Sequence, residues 1–223
     1  MFCVTGSEGL DAESLAVVSE FHKLYYDAAE DSGTWNNTYW VGVPTLKCPL
    51  DMWIYQEILV RIRPDKIIEC GTAQGGSALF LAHICDIIDQ GEVITIDIDD
   101  IKGRPEHERI EYLFGSSISE EILHMVSNRI QGEDVVMVIL DSDHNRDHVL
   151  KEMELYSPLV TRGSYLVVED TNINGNPVLA DFGPGPAEAV REFLQHHNEF
   201  EVDRNMEKFY MTFSPGGYLR RVR

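Results

Sequence analysis

Long hydrophobic runs are absent from this 223-residue sequence. No segment approaches the roughly 20 apolar residues that a membrane-spanning helix needs. Residues 1–10 also lack the basic region and the apolar core of a secretory signal peptide. We therefore expect a cytoplasmic protein without a membrane partner.

Cysteine is scarce, and its spacing is uninformative for metal binding. The four cysteines, Cys3, Cys48, Cys70 and Cys85, are widely separated and show no paired spacing of the kind found in zinc sites. Thiols of cytoplasmic proteins are normally reduced. We expect these four to be reduced and mostly structural.

Basic residues are also few, since 18 Lys and Arg stand against 38 Asp and Glu, which gives a formal net charge of -20. Phosphate backbones and anionic membranes are bound mainly through basic patches, so a strongly acidic protein repels both. This charge excludes nucleic acid as an expected partner and favours a small-molecule ligand.

Short β-rich segments alternate with helical patterns over most of the chain, as in a parallel sheet with crossover helices. The predicted strands are residues 66–70, 92–97, 110–114, 135–140, 165–169, 200–203 and 209–213. The predicted helices between them are residues 77–88, 118–130, 144–155 and 187–196. Because no helix separates the last two strands, we expect them to form an antiparallel pair at the sheet edge.

The first part of the chain has a different pattern. Residues 11–31 and 50–61 have the apolar spacing of helices, and Asp51 is a plausible N-cap of the second helix. Residues 39–44 between them contain a glycine and a proline, which favour an irregular or edge-like segment. We expect this segment to be a lid or an oligomer contact.

A glycine-rich turn follows the first strand of the alternating region, in the sequence Glu69-Cys70-Gly71-Thr72-Ala73-Gln74-Gly75-Gly76-Ser77. Glycines allow the backbone to approach a ligand closely. The spacing is not that of a dinucleotide site. Glu69 would repel a pyrophosphate but attract the ammonium group of a methionine-type ligand. A nucleoside with a cationic amino-acid tail therefore fits better than a dinucleotide.

Two later strand ends extend this prediction. Asp97 ends the second strand, where a carboxylate can accept hydrogen bonds from ribose hydroxyls. Gly115-Ser116-Ser117 follows the third strand, and these small residues could pack against an adenine and hydrogen-bond to it. Each feature alone is common in turns and on surfaces. Together with the glycine-rich turn they favour a nucleoside site.

Carboxylates follow the fourth and fifth strands, as Asp141 and then Glu169 and Asp170. If these strands are neighbours, three acids converge, which is unfavourable unless a cation neutralises them. Oxygen ligands favour Mg²⁺, Ca²⁺ or Mn²⁺. His144 could face the same pocket and take a proton from a metal-polarised hydroxyl, so we assign it as general base. The alternatives are that His144 caps the next helix or binds the metal as a fourth ligand.

These motifs resemble the cephalosporin hydroxylase family, whose members are similar to class I S-adenosylmethionine methyltransferases despite the name. The resemblance covers about residues 39–221. Its markers are Lys47-Cys48-Pro49-Leu50-Asp51, Tyr55-Gln56, Glu69-Cys70-Gly71 with Gly75-Gly76-Ser77, Asp141 with His144, and Glu169-Asp170. It implies a Rossmann-like α/β fold with a seven-stranded, mostly parallel sheet, helices on both faces, an antiparallel edge hairpin and an N-terminal helical extension. Residues 1–63 would form this helical or lid extension, and residues 64–223 the methyltransferase domain.

The resemblance also implies a chemistry. Similar magnesium-dependent sugar O-methyltransferases use an acid, a histidine three residues later and a downstream Glu-Asp pair. By this resemblance Asp141, Glu169 and Asp170 bind the metal, and His144 with Asp141 forms the catalytic pair. The expected cofactor contacts are Glu69, Gly71, Thr72, Gly75, Ser77, Asp97, Ser117 and Asp141. The expected reaction is S-adenosylmethionine- and Mg²⁺-dependent methylation of a hydroxyl on a sugar or natural-product alcohol, by a homo-oligomer.

Three other functions compete with this one. An oxygenase, which the family name suggests, would need an iron site of two histidines and one carboxylate, and the cluster here is almost all carboxylate. A nicotinamide oxidoreductase would need the dinucleotide glycine spacing. A cofactor-binding accessory protein is disfavoured by the complete set of metal and base candidates. Catechol is a less favoured acceptor, because the related catechol enzyme has a lysine in place of His144.

Overall fold

The computed structural model describes residues 9–27 and 33–223. Cys3 and the end of the first predicted helix lie outside the described residues. The helices are α1 (Ala12–Asp27), α2 (Pro49–Ile62), α3 (Gly76–Ile88), α4 (Glu120–Ser127), α5 (Arg146–Tyr156) and α6 (Pro186–His196). The strands are β1 (Tyr39–Trp40), β2 (Val43–Pro44), β3 (Lys66–Cys70), β4 (Glu92–Asp97), β5 (Ile110–Phe114), β6 (Val136–Leu140), β7 (Tyr165–Val168), β8 (Phe200–Val202) and β9 (Tyr218–Arg221).

Seven strands form one sheet in the order β5-β4-β3-β6-β7-β9-β8. The first five in this order are parallel, whereas β9 is antiparallel to both β7 and β8. The order in which strands are added reverses between β3 and β6: β4 and β5 lie on one side of β3, and β6 and β7 lie on the other. Ligands of open α/β sheets bind at such a point. The predicted mostly parallel sheet with an antiparallel edge pair is confirmed.

Both faces of the sheet are buried, because successive side chains of a strand point to opposite sides. On one face, residues such as Ile68 and Val138 pack against apolar side chains of α4, α5 and α6. On the other face, Ile67 and Met137 pack against α2 and α3. This double packing explains the near-continuous apolar character of β3 and β6, and it confirms the prediction of helices on both faces.

The strand predicted at residues 209–213 is wrong, since the last strand is β9. The aromatic character of the earlier segment serves a different contact. The Phe213 ring stacks on His22 and meets the rings of Tyr25 and Tyr26 of α1 edge-on. Tyr210 has a φ of +68°, a value that β-strands do not adopt. This segment therefore holds the N-terminal helix instead of joining the sheet.

The predicted N-cap role of Asp51 is also wrong, because α2 begins at Pro49 and its N-cap is Cys48. Proline is favourable at the first position of a helix, where its missing N–H costs nothing. Asp51 is buried, and its carboxylate accepts from the Phe213 N–H at 2.8 Å and from the Tyr218 hydroxyl at 2.8 Å. It joins α2 to the C-terminal segment rather than capping the helix.

The segment at residues 39–44 is a short antiparallel hairpin of β1 and β2. The Trp40 Nε1–H donates to His83 Nδ1 of α3 at 2.9 Å, and its ring packs edge-on against Phe80. A role as lid or oligomer contact stays a prediction. Cys48, Cys70 and Cys85 are buried free thiols, as expected. None of the helices in the described part of the chain is long and apolar enough to span a membrane.

Candidate active site

The carboxyl ends of the parallel strands open onto a cavity of about 590 Å³. Parallel strands deliver their following residues to the same sheet edge, so residues distant in sequence meet there. Eight of the predicted site residues line it: Gly71, Thr72, Ser77, Asp97, Ser117, Asp141, His144 and Asp170. Among the described residues, Glu69, Gly75 and Glu169 are predicted site residues that do not line it.

Two acids and a histidine converge in this cavity. Asp141 follows β6 and Asp170 follows β7, and their ligand atoms and that of His144 all lie within 4.8 Å of one another. His144 Nε2 is 3.1 Å from Asp170 Oδ2. Asp170 has a φ of +52°, a conformation that Asp tolerates better than most residues do. An oxygen-rich group with one imidazole suits a hard divalent cation.

Glu169 faces a different partner. Its Oε1 accepts from Lys47 Nζ at 2.5 Å and from the Tyr55 hydroxyl at 2.7 Å. The same Lys47 Nζ donates to Asp141 Oδ2 at 2.5 Å. Lys47 is only 4% exposed, so its ammonium is a buried positive charge between two acids of the predicted metal set.

The acids outnumber the positive charge beside them. Burial raises the pKa of Glu169 and that of Asp170, although Lys47 lowers the first and His144 the second. Burial alone would lower the pKa of Lys47, but the carboxylates of Asp141 and Glu169 raise it above its ordinary value. The ammonium therefore stays charged, and a further cation would favour ionisation of the remaining acids.

The glycine-rich turn closes against this cluster. Gly71 has a φ of +101°, and a Cβ on it would lie 1.8 Å from the Asp141 carbonyl oxygen, so no other residue fits. The N–H groups of Thr72 and Ala73 donate to Asp97 Oδ2 at 3.1 and 2.9 Å, and Arg104 Nη2 donates to the same oxygen at 3.0 Å. Asp97 thus fixes the turn in addition to lining the cavity.

Glu69 lies behind the turn rather than in the cavity. Its carboxylate is fully buried and accepts from the hydroxyls of Ser77 and Thr95, the latter at 2.7 Å. It therefore positions Ser77, which lines the cavity. Direct contact between Glu69 and a ligand ammonium stays a prediction.

An aromatic pair that sequence reasoning missed reaches this cavity from the N-terminal part of the chain, where Tyr26 lies in α1 and Trp35 lies after the end of that helix. Tyr26 and Trp35 both line the cavity, and their rings stack with centroids 5.4 Å apart.

Burial lowers the pKa of His22 to about 4, so its neutral ring can accept from Asn172 Nδ2 at 3.0 Å. Because Asn172 follows Asp170 closely, this bond ties α1 to the acidic side of the cavity.

Comparison with known proteins places the chain in a family. The sequence profile of the rhamnosyl O-methyltransferase/CmcI family matches residues 32–222. The chain belongs to this family. A family member, the rhamnosyl O-methyltransferase of Mycobacterium leprae (strain TN), is 40% identical over 227 residues, which cover 98% of this chain and 96% of the relative.

Solved structures of CmcI are similar in fold to the protein described here. The apo structure of CmcI matches with a TM-score of 0.67 at 21% identity, over 90% of this chain and 84% of that one. A CmcI structure with Mg and SAM matches with a TM-score of 0.64 at 22% identity, with the same coverage. At this level of identity the comparison shows a common fold and confirms the predicted one.

Proposed function

We propose that this protein transfers a methyl group from S-adenosylmethionine to a sugar hydroxyl in an Mg²⁺-dependent reaction. The observation that carries the proposal is the cluster of Asp141, His144 and Asp170 in the cavity beside the glycine-rich turn. The 40% identical relative is named for O-methylation of a rhamnosyl group, which supports the same reaction class here.

The metal-binding part of the proposal rests on the donor set. Asp141 and Asp170 would hold Mg²⁺. Glu169 stays a predicted third ligand, although it does not line the cavity and its Oε1 accepts from Lys47 and Tyr55. A bound Mg²⁺ would polarise the acceptor hydroxyl and make its proton easier to remove. Because these carboxylates are carried by the ends of β6 and β7, the sheet fixes their positions before a ligand arrives.

His144 is the proposed general base. The acceptor oxygen would attack the methyl carbon of S-adenosylmethionine, and the carbon–sulfur bond would break to release S-adenosylhomocysteine as the hydroxyl proton passes to His144. Asp170 Oδ2 lies 3.1 Å from His144 Nε2, so it can hold the Nε2–H tautomer and leave Nδ1 to accept this proton. The carboxylate would also stabilise the imidazolium that forms.

The acceptor is proposed to be a sugar that binds at the aromatic side of the cavity. Tyr26 and Trp35 line the cavity that also contains the acidic cluster, and their rings stack on each other. The apolar face of a deoxyhexose such as rhamnose can pack on an aromatic ring, while its hydroxyls remain directed at polar groups. The N-terminal segment would therefore select the acceptor.

The proposed reaction is tested with purified protein, S-adenosylmethionine and phenyl α-L-rhamnoside as acceptor. We expect mass spectrometry to find the rhamnoside carrying one additional methyl group in MgCl₂ and none in EDTA. Catechol serves as the control acceptor and should react more slowly. No transfer to any sugar acceptor, together with no binding of S-adenosylhomocysteine to the folded protein, would overturn the proposal.

The role of His144 is tested by replacing it with glutamine. We expect kcat to fall about 10²-fold, because general-base catalysis is lost, while the Mg²⁺ affinity changes little. The matched control is His124→Gln, since His124 is an exposed residue of α4. Measuring the rate across a range of MgCl₂ concentrations separates kcat from metal affinity. If high Mg²⁺ restored the rate of His144→Gln, His144 would be a metal ligand instead.

A further inference from the structure

A buried acid lies behind the cavity wall, and the function proposed above gives it no role. Glu152 of α5 is 0% exposed. Its Oε1 accepts from Ser117 Oγ at 2.5 Å and from Ser142 Oγ at 2.6 Å. Both serines line the cavity, and Glu152 lies directly behind them.

The two serines come from distant parts of the sheet. Ser117 follows β5 and Ser142 follows β6, and the strands β4 and β3 lie between them. Their hydroxyls nevertheless donate to one carboxylate oxygen. The other oxygen, Glu152 Oε2, has no hydrogen-bond partner within the described part of the chain. Packing alone does not require two cavity hydroxyls to donate to one oxygen of a buried carboxylate while its other oxygen stays unpaired.

The charge of Glu152 has a local partner. His148 lies one helical turn earlier, and its Nε2 is 3.4 Å from Glu152 Oε1. The hydrogen bond with Glu152 raises the pKa of His148. The same Nε2 lies 3.4 Å from Ser117 Oγ and 3.3 Å from Ser142 Oγ, so His148 belongs to this network.

This arrangement fixes the direction of both hydroxyl protons. A serine hydroxyl has one proton and two lone pairs. Because Ser117 and Ser142 both donate to Glu152, each hydroxyl keeps only lone pairs, which are available to His148 Nε2 and to a ligand in the cavity. A ligand group that meets them there must therefore donate hydrogen bonds, and a group that only accepts would be left unpaired, which is unfavourable in a buried site.

We infer that Glu152 is a specificity-determining residue that orients Ser117 and Ser142 to accept from the 6-amino group of a purine, and so excludes 6-oxopurines. The inference rests on the proposed function, since it assigns the adenine end of the S-adenosyl ligand to these serines. Glu152 acts through the serines and is a positioning residue rather than a catalytic one.

The test compares S-adenosylhomocysteine with S-inosylhomocysteine, which carries a 6-oxo group, by calorimetric titration. We expect the wild-type protein to prefer the adenosyl ligand by at least about tenfold, the range expected when a buried polar group is left unpaired. In Glu152→Gln the side-chain amide can donate to one serine, whose proton then turns to the cavity. The preference should shrink by about tenfold, mainly through tighter binding of the inosyl ligand.

Glu154→Gln is the matched control, because Glu154 lies on the same helix, where it pairs with His197 on the surface. It should keep the wild-type preference. If Glu152→Gln fails to fold, Ser142→Ala replaces it and should weaken adenosyl binding while leaving inosyl binding unchanged. Equal affinity of the wild-type protein for both ligands, or an unchanged preference in Glu152→Gln, would overturn this inference alone. Absence of binding by either ligand to the folded wild-type protein would overturn the proposed function as well.

Discussion

Replacing Asp141 with asparagine is expected to lower the rate of Mg²⁺-dependent methyl transfer by about 10³-fold, equivalent to about 4 kcal/mol of lost transition-state stabilisation. Asp141 follows β6, and its ligand atom lies within 4.8 Å of those of His144 and Asp170. Asparagine keeps the size of the side chain but removes its negative charge. The affinity for Mg²⁺, measured by titrating the rate with MgCl₂, should fall together with the rate.

Nucleoside binding provides the internal control for Asp141→Asn. The affinity for S-adenosylhomocysteine in EDTA should change only a few-fold, because Asp97 and the glycine-rich turn are left intact. The matched variant is Asp147→Asn, whose side chain is 86% exposed on the first turn of α5, and it should retain wild-type rates. Equal losses of nucleoside binding and of the Mg²⁺ response in Asp141→Asn would place Asp141 in the nucleoside site and leave the metal position unsupported.

The sequence was sufficient to predict which residues at the ends of the strands meet in one cavity. A strand pattern fixes the position of the polar residue that follows the strand, and parallel strands bring these residues to one edge of the sheet. Asp141 and Asp170 meet in the cavity for this reason, and Asp97 lies beside the glycine-rich turn. The pattern did not specify side-chain partners. Glu169 follows the same strand as Asp170 but accepts from Lys47 and Tyr55.

Residues whose role depends on distant contacts were missed. Lys47 is 94 residues from Asp141 and 122 from Glu169 in sequence, and no local pattern links them. Two signals pointed to Lys47, namely its position between two apolar residues and its place in the first marker motif of the family resemblance, but neither named its partners. Glu152 left a clearer signal, because it lies on the face of α5 that also carries Val149, Met153 and Tyr156. A charged residue on the apolar face of a helix suggests a buried polar partner.

The wrong last strand has a related cause. The β-rich composition of residues 209–213 reports burial, but aromatic rings are buried equally well against a helix. The segment packs on α1, whereas Tyr218 and Leu219 of β9 are the residues buried next to β7. Local sequence therefore predicted an antiparallel edge pair but could not decide which apolar segment forms it.

Replacing Lys47 with methionine is expected to destabilise the metal-free protein by about 3–5 kcal/mol, the usual cost of removing one partner of a buried ion pair. Lys47 Nζ lies 2.5 Å from both Asp141 Oδ2 and Glu169 Oε1. Methionine preserves most of the side-chain length but leaves these carboxylates without the charge between them. For a protein of this size, the Tm in EDTA should fall by about 6–20 °C.

Magnesium distinguishes this electrostatic role of Lys47 from simple packing. Because Mg²⁺ would supply the positive charge that Lys47→Met lacks, MgCl₂ should raise the Tm of the variant more than that of the wild-type protein. The matched control is Lys23→Met, since Lys23 forms an exposed pair with Glu20 at 3.0 Å and its loss should change the free energy of unfolding by less than about 1 kcal/mol. An unchanged Tm of Lys47→Met in EDTA, or an equal effect of MgCl₂ on variant and wild type, would show that Lys47 does not balance the charge of the acids proposed to bind the metal. A lower Tm in EDTA that MgCl₂ partly restores would instead mean that the Lys47 ammonium neutralises Asp141 and Glu169 in the metal-free protein.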